Sequence, residues 1–134
     1  MSEMDFLSRI LRRTGCGWLM DVTNIYANAR NFGFNAYDFV AEVAPAASRL
    51  QMHLSGGEYD EKTGLYIDSH SHSIPESVWD LYWYALEEFG EKVDAIFIER
   101  DQNFPDNDAD WGREIRKARK IVDEATGTTA INGE

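Results

Sequence analysis

Four short apolar runs along this chain each deliver a side chain able to ligate a metal at or just after their end. Gly17-Trp18-Leu19-Met20 leads into Asp21, with Asn24 three residues on, and Leu50-Gln51-Met52 leads into His53. Leu65-Tyr66-Ile67 leads into Asp68, with His70 two residues on, and Ala95-Ile96-Phe97-Ile98 leads into Glu99. Short runs with little polar alternation are expected of strands buried on both faces, which occur in parallel sheets covered by helices. In parallel α/β folds the chemistry gathers at the C-terminal ends of the strands. Carboxylate, imidazole and amide groups collected there form the donor set of a hard or borderline metal ion.

The intervening segments supply helices. Met4, Leu7, Ile10 and Leu11 recur at helical spacing, which predicts an amphipathic helix from about Glu3 to Arg13, broken by Gly15 and Gly17. Asn24 to Asn31 reads as a polar loop with a turn at Gly33. Asn35 is a good N-cap for a short helix over Ala36 to Val43, which Pro45 closes. Ser55 to Gly64 reads as a loop and Leu65 to Ile67 as a short extended segment. Ser73 and Glu76 have capping-box spacing, with Pro75 in the first turn. Val78, Leu81, Tyr82, Ala85, Leu86 and Phe89 mark one face of the helix that follows, and Gly90 ends it. After a strand over Val93 to Ile98 and a loop over Gln102 to Asp108, Trp111, Ile115, Ala118, Val122 and Ala125 predict a final helix stopped by Gly127. Residues 128–134 read as a frayed polar tail. The order, a helix and then strand and helix three times over, predicts one α/β domain across residues 1–134 with parallel strands and right-handed crossovers.

Composition narrows the function. The 134 residues carry a formal net charge of -11, which opposes binding to nucleic acid or anionic lipid and suits a cation-binding protein. Arg113, Arg116, Lys117, Arg119 and Lys120 on the last helix read as a solvated face rather than a nucleic-acid site. No apolar run is long enough for a membrane span and the first residues do not resemble a signal peptide, so the expected setting is the cytoplasm. Cys16 is the only cysteine; it cannot form a disulfide within one chain and reads as a small buried filler. The sequence contains no Cys-x-x-Cys, Walker-type loop or Gly-x-Ser-x-Gly elbow.

Asp21 and Glu99 directly follow apolar strand residues, where a carboxylate needs a cation or hydrogen-bond donors. The competing reading is helix capping or an ion pair with Arg49 or Arg100. Asp68 and His70, two apart, would share a face of an extended segment. His53 alone could be a structural histidine, Asn24 a turn residue, and His72 is a weaker candidate. Taken jointly, His, Asp, Glu and Asn suit iron or manganese, with zinc also accommodated; the thiolate set of a structural zinc site is missing.

Four ordered segments resemble a known family. They are Asp21-Val22-Thr23-Asn24-Ile25-Tyr26 with Asn28 and Asn31-Phe32-Gly33-Phe34, then Gln51-Met52-His53-Leu54-Ser55-Gly56. The third is Ile67-Asp68-Ser69-His70-Ser71-His72 with Ile74-Pro75, Val78-Trp79 and Leu81-Tyr82. The fourth is Ile98-Glu99-Arg100-Asp101 with Phe104-Pro105. The chain resembles, from about Met4 to Val122, the multinuclear non-heme iron-dependent oxidases, the family of the methanobactin-biosynthesis oxidase. The resemblance implies a TIM-type (β/α) barrel holding two or three iron ions at its C-terminal mouth. It implies dioxygen-dependent oxidation of a ribosomally made peptide, often at cysteine, and a small partner protein that presents the substrate. By motif position Asp21, His53, Asp68, His70 and Glu99 would be iron ligands, Asn24 a ligand or a support for one, and His72 and Asp101 further candidates.

Length departs from the pattern. A full barrel needs about 200 residues or more, and this chain corresponds to the C-terminal half. The expectation is a partial barrel of about half the strands: a fragment of a longer product, one half of a split enzyme, or a half-barrel completed by a partner or a second copy. The alternatives to the oxidase are another metal-dependent barrel enzyme (isomerase or hydrolase) and a non-catalytic assembly module.

Overall fold

The structure, a computed structural model, describes residues 1–127; the expected tail at 128–134 lies outside the described residues. The elements are α1 (Glu3–Thr14), β1 (Trp18–Asp21), α2 (Val22–Phe32), α3 (Ala36–Val43), β2 (Leu50–Leu54), β3 (Glu58–Asp60), β4 (Leu65–Ile67), α4 (Glu76–Phe89), β5 (Val93–Ile98) and α5 (Asp108–Thr126). β1, β2 and β5 form a three-stranded parallel sheet in that order, and helices alternate with its strands as the sequence order predicts.

Local chemistry explains most boundaries. Ser2 and Asp5 form a capping box on α1, and left-handed Gly15 ends it. Asn35 caps α3 by accepting from the amides of Tyr37 and Asp38. Four expectations are corrected. Residues 24–31 lie in α2, not in a loop: the Asp21 carboxylate accepts from the Asn24 amide as N-cap, while Val22, Ile25 and Ala29 supply a buried stripe that the surrounding asparagines disguise. The stretch 55–64 contains β3, which pairs antiparallel with β4, so Leu65–Ile67 belongs to a hairpin and not to the parallel sheet. Ser73 does not cap α4, whose N-cap is Pro75; the Glu114 carboxylate takes the Ile74 amide instead. Gly90 ends α4 as expected, as its C-cap, and a 3₁₀ turn over Gly90–Lys92 follows. Cys16 is exposed rather than buried.

The core lies between the sheet and its helices. Met20, Leu50, Met52 and Leu54 point into it with Val40, Val43, Val78, Leu81 and Tyr82, all at most 1% exposed. The Tyr82 hydroxyl donates to the Ala118 carbonyl at 3.1 Å, tying α4 to α5 across a dry contact. The opposite face of the sheet behaves differently from the doubly buried strands expected. It carries Leu19 at 58% and Phe97 at 50% exposure, together with Gln51, Asp21 and His53, so the sheet is covered on one side only.

Two buried residues join β1 to β2 beyond the ladder. The Thr23 hydroxyl donates to the Ser55 carbonyl and accepts from the Ser55 amide, each at 2.9 Å, with both residues fully buried. Thr23→Val keeps the shape and removes both bonds, leaving an N–H and a C=O dry and unpaired. Stability should fall by about 3 kcal/mol, read as a lower denaturant midpoint at unchanged slope.

Candidate metal centre

Backbone register brings the polar strand ends together. Asp21 pairs with His53 across β1 and β2, and His53 pairs with Phe97 across β2 and β5, which places Glu99 just past the same rim. The Glu99 amide donates to the Leu54 carbonyl at 3.0 Å, extending the ladder by one bond. The chain then returns from the hairpin through Asp68, Ser69 and His70. His70 sits at φ 52°, a left-handed conformation that is strained for a residue with a side chain. Its carbonyl accepts from the Asp101 amide at 2.7 Å, which locks the two rim loops together.

The side chains converge on two imidazoles. His53 Nδ1 lies 3.0 Å from Asp21 Oδ2, and Nε2 lies 2.7 Å from Glu99 Oε2. His70 Nε2 lies 3.4 Å from Asp68 Oδ1, while its Nδ1 lies 3.2 Å from Asp101 Oδ2 and 3.6 Å from Glu99 Oε2. The two rings are 5.2 Å apart. Two groups have ligand atoms all within 4.8 Å of one another: Asp21, His53 and His70, and His70, Glu99 and Asp101. His70 belongs to both.

This arrangement asks for a cation. A neutral imidazole carries one N–H, so its other nitrogen presents a lone pair. Both nitrogens of His53 and both of His70 face carboxylate oxygen, and a lone pair against a carboxylate is repulsive unless a proton or a metal stands between them. Among the described residues no arginine pairs with these carboxylates. Arg49 pairs with Asp94 at the other end of the sheet, and Arg100 donates to the carbonyls of Gln102 and Asn103. The competing ion-pair reading of Asp21 and Glu99 is therefore not realised, although Asp21 does cap α2 through its other oxygen. Burial holds the Asp68 carboxyl above the usual carboxylate range; the Ser55 hydroxyl works against that shift, and the nearby Asp21 charge adds to it. The donors, nitrogen and oxygen without sulfur, fit iron or manganese.

Of the expected residues, Asp21, His53, Asp68, His70 and Glu99 come together, and Asp101 joins them. Asn24 turns along α2, where its side-chain oxygen accepts from Asn28 at 2.9 Å. His72 is exposed, with Nδ1 2.8 Å from the Ser71 hydroxyl. Ser55 went unassigned in the sequence although it lies in the segment after His53; its hydroxyl donates to Asp68 Oδ1 at 2.7 Å. Nothing in its spacing marks that role, because the bond spans a hairpin.

Residues 1–123 match the family described as RiPP precursor modification enzyme MbnB/TglH/ChrH. The chain belongs to that family. UPF0276 proteins are among its relatives. One from Caulobacter vibrioides (strain NA1000 / CB15N) is 43% identical over 105 residues, covering 78% of this chain and 36% of its own length. One from Anaeromyxobacter sp. (strain Fw109-5) is 35% identical over 132 residues, covering 98% of this chain and 44% of its own. One from Bordetella pertussis (strain Tohama I) is 40% identical over 108 residues, covering 78% and 36%. The chain thus spans less than half the length of these relatives. Among the described residues no helix is long and apolar enough to cross a membrane.

Because His70 belongs to both groups, it dominates the expected response to metal. Mn(II) at a hundredfold excess over its dissociation constant should stabilise the chain by about 2.7 kcal/mol, seen as a rise in Tm. His70→Ala should abolish that rise, whereas Asp101→Ala should leave the Asp21, His53 and His70 group able to produce part of it.

Proposed function

We propose that this chain forms one part of an iron-dependent oxidase that uses dioxygen to modify a ribosomally made peptide, with cysteine as the favoured target. The observation that carries the reading is the convergence of two imidazoles and four carboxylates, those of Asp21, Asp68, Glu99 and Asp101, at one rim of a parallel sheet in a chain whose family modifies peptide precursors. Asp21, His53, Asp68, His70 and Glu99 would hold the metal, and Asp101 would contribute to the outer group. Iron held there would relay electrons from the peptide to dioxygen and act as a Lewis acid for a peptide thiolate.

The chain's own residues do the positioning. Asp21 keeps one oxygen on the α2 amide and turns the other toward His53, so helix capping orients a ligand. Ser55 holds one oxygen of Asp68 and is held in turn by Thr23. Hydrogen-bonded supports of this kind set ligand direction and basicity. The gathered carboxylates also attract a cation from solution.

The fold proposed for the complete assembly is a (β/α) barrel of which this chain is a partial domain. The adjacent parallel order β1-β2-β5 supports it, as does the uncovered sheet face that bears the site. The covering element would come from a partner, a second copy or the additional length that the relatives have.

Metal analysis of the purified chain tests the reading. His53→Ala and Asp68→Ala should each lower bound iron at least severalfold, by roughly the 10- to 100-fold typical of lost ligand support, with unchanged circular dichroism. Equal iron in both variants and the parent would count against the assignment. A cysteine-containing peptide should gain an oxidative mass change in air and none under argon. A mass change that persists under argon would favour a metal-dependent hydrolase, and a rearranged product of unchanged mass an isomerase.

A further inference from the structure

The β3–β4 hairpin stands on the candidate centre. β3 begins five residues after His53, and β4 ends at Ile67, directly before Asp68. Its stem packs closely against neighbouring backbone: a Cβ at Gly56 would overlap the His72 carbonyl, and one at Gly57 would overlap the Ile67 carbonyl. Whatever lies along this hairpin lies next to His53 and Asp68 in the chain.

Its two edges differ. On the outer edge of β4, the Tyr66 amide donates to Asn31 Oδ1 and the Tyr66 carbonyl accepts from Asn31 Nδ2, both at 2.8 Å. The Asn31 amide thereby stands in for a neighbouring strand. Because both backbone groups of Tyr66 point outward, Tyr59 and Tyr66 form the non-hydrogen-bonded kind of antiparallel pair. The N–H and C=O of Tyr59 then point away from β4, and among the described residues no backbone partner meets them. The Tyr59 side chain is braced, with the Arg30 guanidinium 4.8 Å above its ring and the Tyr66 ring edge-on at 5.3 Å. The strand is held extended while its outer edge stays open.

We propose that this edge of β3 takes the substrate peptide as an added antiparallel strand. The proposal rests on the reading of the chain as part of a peptide-modifying enzyme and deepens it. An edge with an N–H and a C=O to spare recognises any extended peptide through main-chain bonds. β3 runs from the centre toward the hairpin tip, so an antiparallel peptide runs from the tip back to the stem and brings its C-terminal part to His53 and Asp68. Exposed Glu58 and Glu61 beside the edge favour lysine or arginine over acidic residues at the paired positions.

Amide hydrogen exchange on the full, nitrogen-labelled chain tests this. The probe is a short synthetic peptide of alternating threonine and valine, with lysine at each end and a cysteine near its C-terminus. The control is the same peptide N-methylated at every internal residue, which blocks both of its edges. At saturation the plain probe should slow exchange at Tyr59 by roughly tenfold, the worth of one hydrogen bond. The Tyr66 amide, already bonded to Asn31, should not change, and the N-methylated control should leave Tyr59 unprotected. Tyr59→Pro should weaken the probe by a similar factor; as proline could also disturb the hairpin, the methylated control carries the decision. Three outcomes overturn the proposal: unchanged Tyr59 exchange with the plain probe, equal protection by the control, or protection without probe that grows with protein concentration, which assigns the edge to a second copy. A Mn(II) titration of the same samples separates the two readings. Metal binding without Tyr59 protection removes the docking edge and leaves the metal centre, and protection without metal binding does the reverse.

Discussion

Strand pairing between β1 and β2 sets Asp21 beside His53, and the rest of the site is arranged around that pair. Side chains alternate between faces of a strand, so a slip of one residue would send His53 into the core and turn Met52 to the open face. What prevents the slip lies on the other side of the sheet. Met20, Leu50, Met52 and Leu54 are fully buried there, and each such side chain contributes about 1.5–3 kcal/mol when removed from water. The polar cluster therefore owes its geometry to apolar packing on the opposite face. The charged groups at the strand ends keep their positions because those are enforced from behind.

The loops of the rim are fixed by backbone bonds rather than by the ligand-type side chains themselves. The Glu99 amide meets the Leu54 carbonyl, the Asp101 amide meets the His70 carbonyl, and the Asn103 side chain donates to the Ser71 carbonyl at 3.2 Å. His70 pays for its place in both ligand groups with a left-handed backbone. Such strain persists only where neighbours over-determine it, and here the Asp101 bond and the close packing of the hairpin stem do so. The imidazoles and carboxylates are thus held in mutual contact, and among the described residues no lysine or arginine pairs with them.

Much of this was readable in the sequence. The parallel strands followed from apolar runs of strand length, and the polar residues at their ends converge because parallel strands end on the same side. Several segments that misled share one cause: polar side chains doing structural work at a distance. The asparagines of α2 look like loop residues until Asn31 is seen holding both backbone groups of Tyr66. Ser73 looks like a helix cap, but the Glu114 carboxylate, forty residues on, takes the Ile74 amide instead. Thr23 and Ser55 look unremarkable and yet close a buried reciprocal pair. Local spacing carries no record of such bonds, so the hairpin and the supports of Asp68 came only from the folded arrangement.

The ligand-bearing face leaves one physical demand unanswered. Leu19 and Phe97 share it with Asp21 and His53 and are about half exposed. Water that reaches those side chains also reaches Glu99 and Asp101, whose side chains are 49% and 55% exposed. In a wet site the attraction between a cation and its carboxylates is weakened severalfold relative to a dry one, as the effective dielectric constant rises from about 20 toward 80. Covering the face would therefore act twice. It would remove apolar surface from water, and it would strengthen the hold of the same carboxylates on a metal. The relatives, of which this chain spans less than half, have the additional length that such a cover requires. On the proposed reading metal affinity and assembly would be linked quantities: whatever covers Leu19 and Phe97 would raise the affinity of the centre, and metal there would favour the covered form by the same factor.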